Sequence, residues 1–340
     1  MIKWIALALL GIAACAGPRS RSPLASTWSE ASGDTADAEL ARACADLWEM
    51  RLRHSPVWAT ELGDPRYYGK FPTETPATRA HRLEEKRRFW RGTHTIDPAR
   101  LDGEDRLTLA MMLEEIELEI AEDSHPLAPH TWNLNGLGGP QSELLSLAAD
   151  QPRGTARERE QLLERWGRFP SYITGAGEDL RVGVAHGRTA PRHAVLTVID
   201  QLDALLATPA HESPLVAPAA EGGKWIALHP AGDADEGRSG DGLTREEYDA
   251  LPHHVLSSWD RVQYVYVPAE DDPLSFEERA SFLEECLRLT AARIYPSFRR
   301  YRAIVAEEIL PFARSDDEPG FGALDGGLDY YRLQVRRHTS

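Results

Sequence analysis

Twelve histidines and 54 acidic residues are enough raw material for a metal centre or a working carboxylate pair, so their spacing decides whether either is built. A zinc-hydrolase helix needs two histidines at i and i+4 with a glutamate between them, because that spacing puts both imidazoles on one face. No two histidines of this chain are three or four residues apart. His253 and His254 are adjacent and point about 100° apart on a helix, which suits capping or exposure better than joint ligation. His186 and His193 flank Gly187 and Pro191, the signature of a turn with helix-end roles. Glu122 and His125 have the ExxH spacing of di-iron bundles, but such a site takes a second ExxH from a facing helix, and none occurs. Asp233 to Asp241 faintly resembles a calcium loop, yet Arg238 stands where the sharp turn wants glycine and Thr244 where the bidentate glutamate belongs. Gly237-Arg238-Ser239-Gly240 is not a nucleophile elbow, and Asn135 to Gly139 reads as a backbone-shaping turn without the context of a dinucleotide loop. Spacing therefore assigns no catalytic residue, no metal ligand and no cofactor-binding residue.

One position does carry a specific chemistry. Lys3 supplies a short positive region, Trp4 to Ala14 an apolar run too short to span a bilayer, and small residues precede Cys15. Ile12-Ala13-Ala14-Cys15 is similar to a bacterial lipobox. That likeness implies cleavage before Cys15 and acylation of its thiol and its new amino group. Each buried methylene adds only ~0.8 kcal/mol, so stable tethering calls for more than one acyl chain. The expected partner is a membrane, held through Cys15, and the expected place is the cell envelope, on the periplasmic face of the outer membrane, since Ala16 is not the aspartate linked to inner-membrane retention. Residues 1–14 are then a lipoprotein signal peptide and 15–39, rich in Ser, Gly, Pro and Ala, a flexible spacer. Cys44 and Cys286 fall on apolar helix faces, a placement that favours two separate buried thiols over a bridge.

The elements that would position any chemistry are helical. From Leu40 on, Leu40, Ala43, Cys44, Leu47 and Trp48 keep the i, i+3, i+4, i+7, i+8 rule, and that helix should stop before Ser55-Pro56, where Ser55 can cap a second, short one. Leu109, Met112, Leu113, Ile116 and Ile120 make another stripe, with Glu114, Glu115, Glu117 and Glu119 facing water. Capping boxes open helices at Thr155 with Glu158, Thr244 with Glu247 and Ser275 with Glu278, the last running to about Leu310 with a kink at Pro296. Only Arg261 to Val267 reads as a strand. Residues 40–340 are thus expected to be an all-α, bundle-like body with little or no sheet and loops at 63–76, 122–154, 208–242 and 313–326. A 42% hydrophobic chain of 340 residues can build a sizeable core. A net charge of −16 excludes a nucleic-acid partner, and the runs Lys86 to Arg88 and Arg299 to Arg302 sit beside glutamates as solvated helix faces.

Several segments taken in order carry a resemblance to a family: Arg53 to Asp64, Gly136 to Leu145, Leu163 to Tyr172, Leu180 to Ala207 and Ile294 to Ser340. They closely resemble the bacterial family called domain of unknown function 885, whose members are lipoproteins of zinc-peptidase type. The resemblance implies an all-α peptidase-like fold and zinc-dependent hydrolysis. In that family the metal-binding helix, of pattern HExxPGHHxQ, lies downstream of the part that Tyr330, Tyr331, His338 and Thr339 match, so none of its ligands can be carried onto a position here. The expectation is a lipid-anchored N-terminal helical portion without metallopeptidase activity of its own. A non-enzymatic binding or assembly lipoprotein, and one half of a split metallopeptidase whose C-terminal half is a separate polypeptide, stay open beside it. Phe321, Tyr330, Tyr331, Leu333 and Val335 are expected to leave an exposed apolar patch and to drive self-association.

Overall fold

The computed structural model describes residues 35–128, 132–228, 256–259, 262–269 and 272–339. The fold is mostly α, with one small sheet. In its first layer α1 (Thr35–His54) packs with α3 (Pro76–Thr93) and α4 (Gly103–Ser124). The shared core joins Leu40, Ala43, Leu47 and Met50 from α1 and Leu109, Met112 and Ile116 from α4 with Ile96 and Leu101 between α3 and α4. Trp48, expected inside, is 37% exposed and meets Trp58 edge-on at the surface. Between α1 and α3 lies the short α2 (Pro56–Glu61), with proline at its first position and no side-chain cap from Ser55. Proline already removes one of the donors that a cap would satisfy.

The larger core gathers around Trp166, Phe169, Val198, Leu283 and Phe298. It is built by α5 (Pro140–Asp150), α6 (Ala156–Ala185), α7 (Arg192–Ala207), α8 (Phe276–Leu289) and α9 (Tyr295–Ala303). Thr155 with Glu158 and Ser275 with Glu278 form the reciprocal caps their spacing requires, whereas Thr244 and Glu247 lie outside the described residues. On α7 the inward stripe is Val195, Val198, Ile199, Leu202 and Leu205, with Leu206 half-buried against the same core.

The kink expected at Pro296 takes a different form. A π-helical turn, Thr290–Ile294, precedes α9, and a second, Ile304–Ile309, precedes Pro311, so the helical path continues to Phe312. Proline lacks the N–H that an α-helix needs. A widened turn just before each proline redistributes the carbonyls and lets the rod continue.

Two expected loops hold regular structure. Within 122–154, α4 reaches Ser124 and α5 begins at Pro140, behind Gly139 at φ +100°. That backbone angle suits glycine, and with no capping side chain Pro140 at the first helical position is the local start signal. Within 208–242, Lys224–Leu228 forms β1, which pairs antiparallel with β3 (Val262–Val267); β2 (Leu256–Trp259) pairs on its other side. The expected strand is therefore the centre of a three-stranded sheet. A five-residue edge strand carries too little periodicity to stand out alone, and its neighbour's backbone is what orders it.

One buried cation ties the segment from Pro56 to Lys70 to α6. Arg165, 0% exposed, donates to the carbonyls of Pro56, Tyr67 and Lys70, to Thr60 Oγ1 and to Gln151 Oε1. Gln161 and Arg168, one turn to either side, reach the carbonyls of Pro65 and Gly69. Burial pushes the Arg165 guanidinium down to about 10, which leaves it cationic at neutral pH.

The last described helix, α10 (Gly327–Thr339), lies on α4. It starts from a contact only glycine tolerates, since a Cβ on Gly327 would come within 1.6 Å of the Phe321 carbonyl oxygen. The apolar patch expected from its sequence is largely absorbed: Tyr330 is 0% exposed, packed with Leu127, Trp132 and Leu324, and Phe321 joins them half-buried. Tyr331 and Val335 stay in solvent at 55% and 42% exposure.

Candidate functional site

Titratable side chains meet at the junction of α4 with α10, α3 and α1. On α4, Glu115, Glu119, Glu122 and Asp123 recur at helical spacing, so the carboxylates line one side. Asp102 caps the start of α4 by accepting from the Glu104 and Asp105 amides, both at 2.9 Å. Glu122 accepts from Gln334 at 2.9 Å and from Tyr330 at 3.4 Å, and pairs with Arg337. Glu119 is held between Arg51 at 3.0 Å and Lys86 at 2.9 Å; Lys86 also reaches Asp123 at 2.9 Å, and Arg51 reaches Glu115 at 2.7 Å. Glu119 and Lys86, expected to face water, are thus nearly buried partners. The reason is tertiary: α1, α3 and α10 close over this side of α4.

The electrostatics follow from that enclosure. Burial alone would raise the Glu119 carboxyl, but Lys86 and Arg51, with Arg337 beyond them, hold it below its ordinary range. Burial pushes the Tyr330 phenol up, and the Asp123 carboxylate adds to the rise. His125 ends α4, accepts from the Leu127 amide through Nδ1 at 3.1 Å, and lies against the Tyr330 ring with 4.7 Å between centroids and the planes tilted by 39°. Burial lowers its imidazole against the opposing pull of Asp329. At neutral pH the cluster holds an ionised Glu119, a protonated phenol and a neutral imidazole. Each carboxylate faces cations, an arrangement that fastens helices together.

The other sequence-level candidates are scattered. Cys15, His253, His254, Asp233 to Asp241 and Ser239 lie outside the described residues. His186 bonds the Val182 carbonyl at 2.8 Å and His193 pairs with Asp316 at 2.9 Å, so each histidine of the turn has its own partner. Glu122 and His125 share the junction, with a guanidinium and an amide at the carboxylate and a phenol ring against the imidazole. Among the described residues no group of three or more His, Cys, Asp or Glu side chains is placed to hold a metal ion. Cys44 and Cys286 are unbridged, and burial raises both thiols, Cys286 more strongly. Asn135 to Gly139 is a built turn: Asn135 Oδ1 accepts from the amides of Leu137 and Gly138, Gln141 and Gln201 hold its carbonyls, and Leu137 stands 93% exposed at its tip.

Sequence reasoning passed over His211. It is 3% exposed, lies 4.2 Å from the Tyr264 ring and 5.2 Å from that of Trp225, and meets Ser257 Oγ at 3.2 Å. Its partners come from all three strands, and a solitary histidine gives no spacing to read. The open groove between α6 and α8 is lined by Arg159, Glu160, Glu278, Glu285 and Arg288, with Arg288 paired to Glu285.

The model of a family of bacterial proteins of unknown function, DUF885, matches residues 56–340. The chain belongs to the DUF885 family. A crystal structure of a candidate lipoprotein from Colwellia psychrerythraea matches the DUF885 chain with a TM-score of 0.61 at 16% identity. The match covers 88% of this chain and 45% of that one, so the chain spans about half the length of the solved relative. At that identity the likeness speaks for the fold alone. No curated protein matches.

Proposed function

We propose that this DUF885 chain is a lipoprotein of the bacterial envelope, tethered through acylated Cys15 on the periplasmic side of the outer membrane, whose helical body forms the N-terminal part of a zinc-peptidase-like architecture and has no peptidase activity of its own. The observation that carries the reading is the unequal match: 88% of this chain aligns with the fold of a candidate lipoprotein, but only 45% of that protein is spanned. The ion-paired junction between α4 and α10 supports a structural role for the body, since its carboxylates are taken up by cations. Among the described residues no helix is long and apolar enough to cross a membrane.

Cys15→Ser should move the protein from the detergent phase to the aqueous phase in phase partitioning. Detergent partitioning that survives the substitution would remove the tether. Catalytic zinc takes three protein ligands and an open position. The purified chain should therefore retain less than about one equivalent of zinc after dialysis and show no phenanthroline-sensitive peptide cleavage. A stoichiometric metal, or chelator-sensitive cleavage that co-purifies through a second column, would overturn the catalytic part of the proposal. Activity that appears when a separately expressed polypeptide carrying HExxPGHHxQ is added would favour a split enzyme over a binding lipoprotein.

A further inference from the structure

The cleft between β2 and α8 brings a serine, a histidine and a carboxylate together. Ser257 of β2 stands opposite Tyr264 of β3 in the antiparallel register, so both side chains leave the same face of the sheet. Over that face the short turn Ala210–Glu212 lays His211, whose ring centroid is 4.2 Å from that of Tyr264. Ser257 Oγ lies 3.2 Å from His211 Nδ1. At the other ring nitrogen, Nε2 is buried with no hydrogen-bond partner among the described residues, and the Glu212 carboxylate stands 3.8 Å away. Ser257 itself is half-buried and lines a cavity of about 330 Å³ with Ala210, Leu287 and Ala291 and the charged Glu284 and Arg288. That volume suits a small molecule. Glu284 and Arg288 also line the groove of about 740 Å³ between α6 and α8, so the two spaces adjoin.

We propose that Ser257 and His211 are the nucleophile and general base of a serine hydrolase site that cleaves small carboxylic esters in this cleft. A nucleophile within hydrogen-bond reach of a base, with a third group beside the base, is the arrangement that activates a hydroxyl. A neutral imidazole carries one proton; with that proton on Nε2, toward Glu212, Nδ1 is left to accept from the Ser257 hydroxyl. Burial lowers the imidazole against the opposing pull of Glu212, which keeps it in the neutral form that a base requires. Tyr264 from β3 is the other titratable group against the ring, and Trp225 faces it from β1. In the first half-reaction the Ser257 oxygen attacks the ester carbonyl, its proton passes to His211 Nδ1, and the alcohol leaves with that proton. Water then takes the place of the alcohol: its proton goes to His211 and its oxygen to the acyl carbon, and the acid departs as Ser257 regains a hydrogen. Ala210, Leu287 and Ala291 offer an apolar wall to a short acyl chain, and Arg288 brings a cation to the cavity where charge develops on the carbonyl oxygen. The inference is independent of the lipid tether and of any zinc site.

The test treats the purified full chain with a fluorophosphonate probe, which phosphonylates activated serines, and with p-nitrophenyl butyrate. Peptide mass spectrometry should place the adduct on Ser257, and Ser257→Ala should lose both the adduct and the hydrolysis. His211→Gln should lower kcat by about 10²–10⁴-fold with KM little changed. The parent rate should rise with pH as His211 sheds its proton, along a limb below the ordinary value of about 6.5. Glu212→Gln removes the carboxylate that raises the imidazole, so it should move that limb to lower pH, a shift that a merely structural glutamate would not produce. An unmoved limb would remove Glu212 from the site. Phenanthroline should leave the rate unchanged, which separates this activity from that of a zinc peptidase. Should either Ser257→Ala or His211→Gln fail to fold, the adduct position on the parent chain decides. An adduct on another serine, a missing adduct, a parent chain without esterase activity, or hydrolysis that survives Ser257→Ala or stops with phenanthroline would overturn the proposal.

Discussion

Arg165→Ala should lower the unfolding free energy by about 4 kcal/mol, enough to leave much of a marginally stable chain unfolded. The side chain is fully buried and has no carboxylate partner among its contacts; its charge is met by three carbonyls, a threonine hydroxyl and a glutamine oxygen. Each acceptor left dry and unpaired costs about 1–3 kcal/mol, and the missing guanidinium leaves a cavity as well. Partial relaxation and water entry bring the sum down to the figure given. Arg165→Lys should recover only part of the loss, because a point-like ammonium cannot span acceptors that the planar fork reaches together. The segment from Pro56 to Lys70, α2 included, should be the first to lose hydrogen-exchange protection. Denaturant unfolding checks the magnitude. A loss under about 1 kcal/mol would show that the segment holds its place by packing alone.

Asp272→Ala is expected to cost about 3–5 kcal/mol, because it strands a buried guanidinium. Arg279 donates to both carboxylate oxygens of Asp272, at 2.7 and 2.8 Å, and to the Ala219 carbonyl at 3.0 Å; the two side chains are 7% and 6% exposed. The pair fastens the start of α8 to the segment before β1. Hydrogen bonds from Arg279 hold the Asp272 carboxyl below its ordinary range. A depressed carboxylate stabilises the fold fully above its unfolded value, near 4, and the contribution is lost as pH falls through the lower folded value. Asp272→Asn should therefore destabilise at neutral pH and flatten the loss of stability in acid relative to the parent chain. The paired change Asp272→Leu with Arg279→Met should regain most of the stability, since removing both charges leaves neither unpaired. If the pair of substitutions is as damaging as Asp272→Ala, the ion pair is not the cause.

Arg165 and Arg279 also show where sequence reading stops. Both look like ordinary surface charges in the chain, and only long-range contacts to residues 56–70 and to Ala219 reveal them as buried. The same holds for Glu119 and Lys86, which helical spacing turns toward water until α1, α3 and α10 close over them. His211 was invisible because its neighbours Trp225, Ser257 and Tyr264 belong to three strands brought together by pairing.

What the sequence alone determined are the properties carried by local chemistry. The helical class, the two capping boxes at Thr155 and Ser275, the turn at Asn135 to Gly139 and the family membership all depend on residues within a few positions of one another or on the order of short segments. Hydrogen bonding and amphipathic periodicity act over that range, so a linear reading captures them. The tertiary structure decided which charges are buried, how β1 and β2 flank β3, how π turns carry the helix past Pro296 and Pro311, and which apolar groups near Tyr330 stay exposed. Each of those outcomes depends on partners tens to hundreds of residues away, where desolvation and packing outweigh local preference.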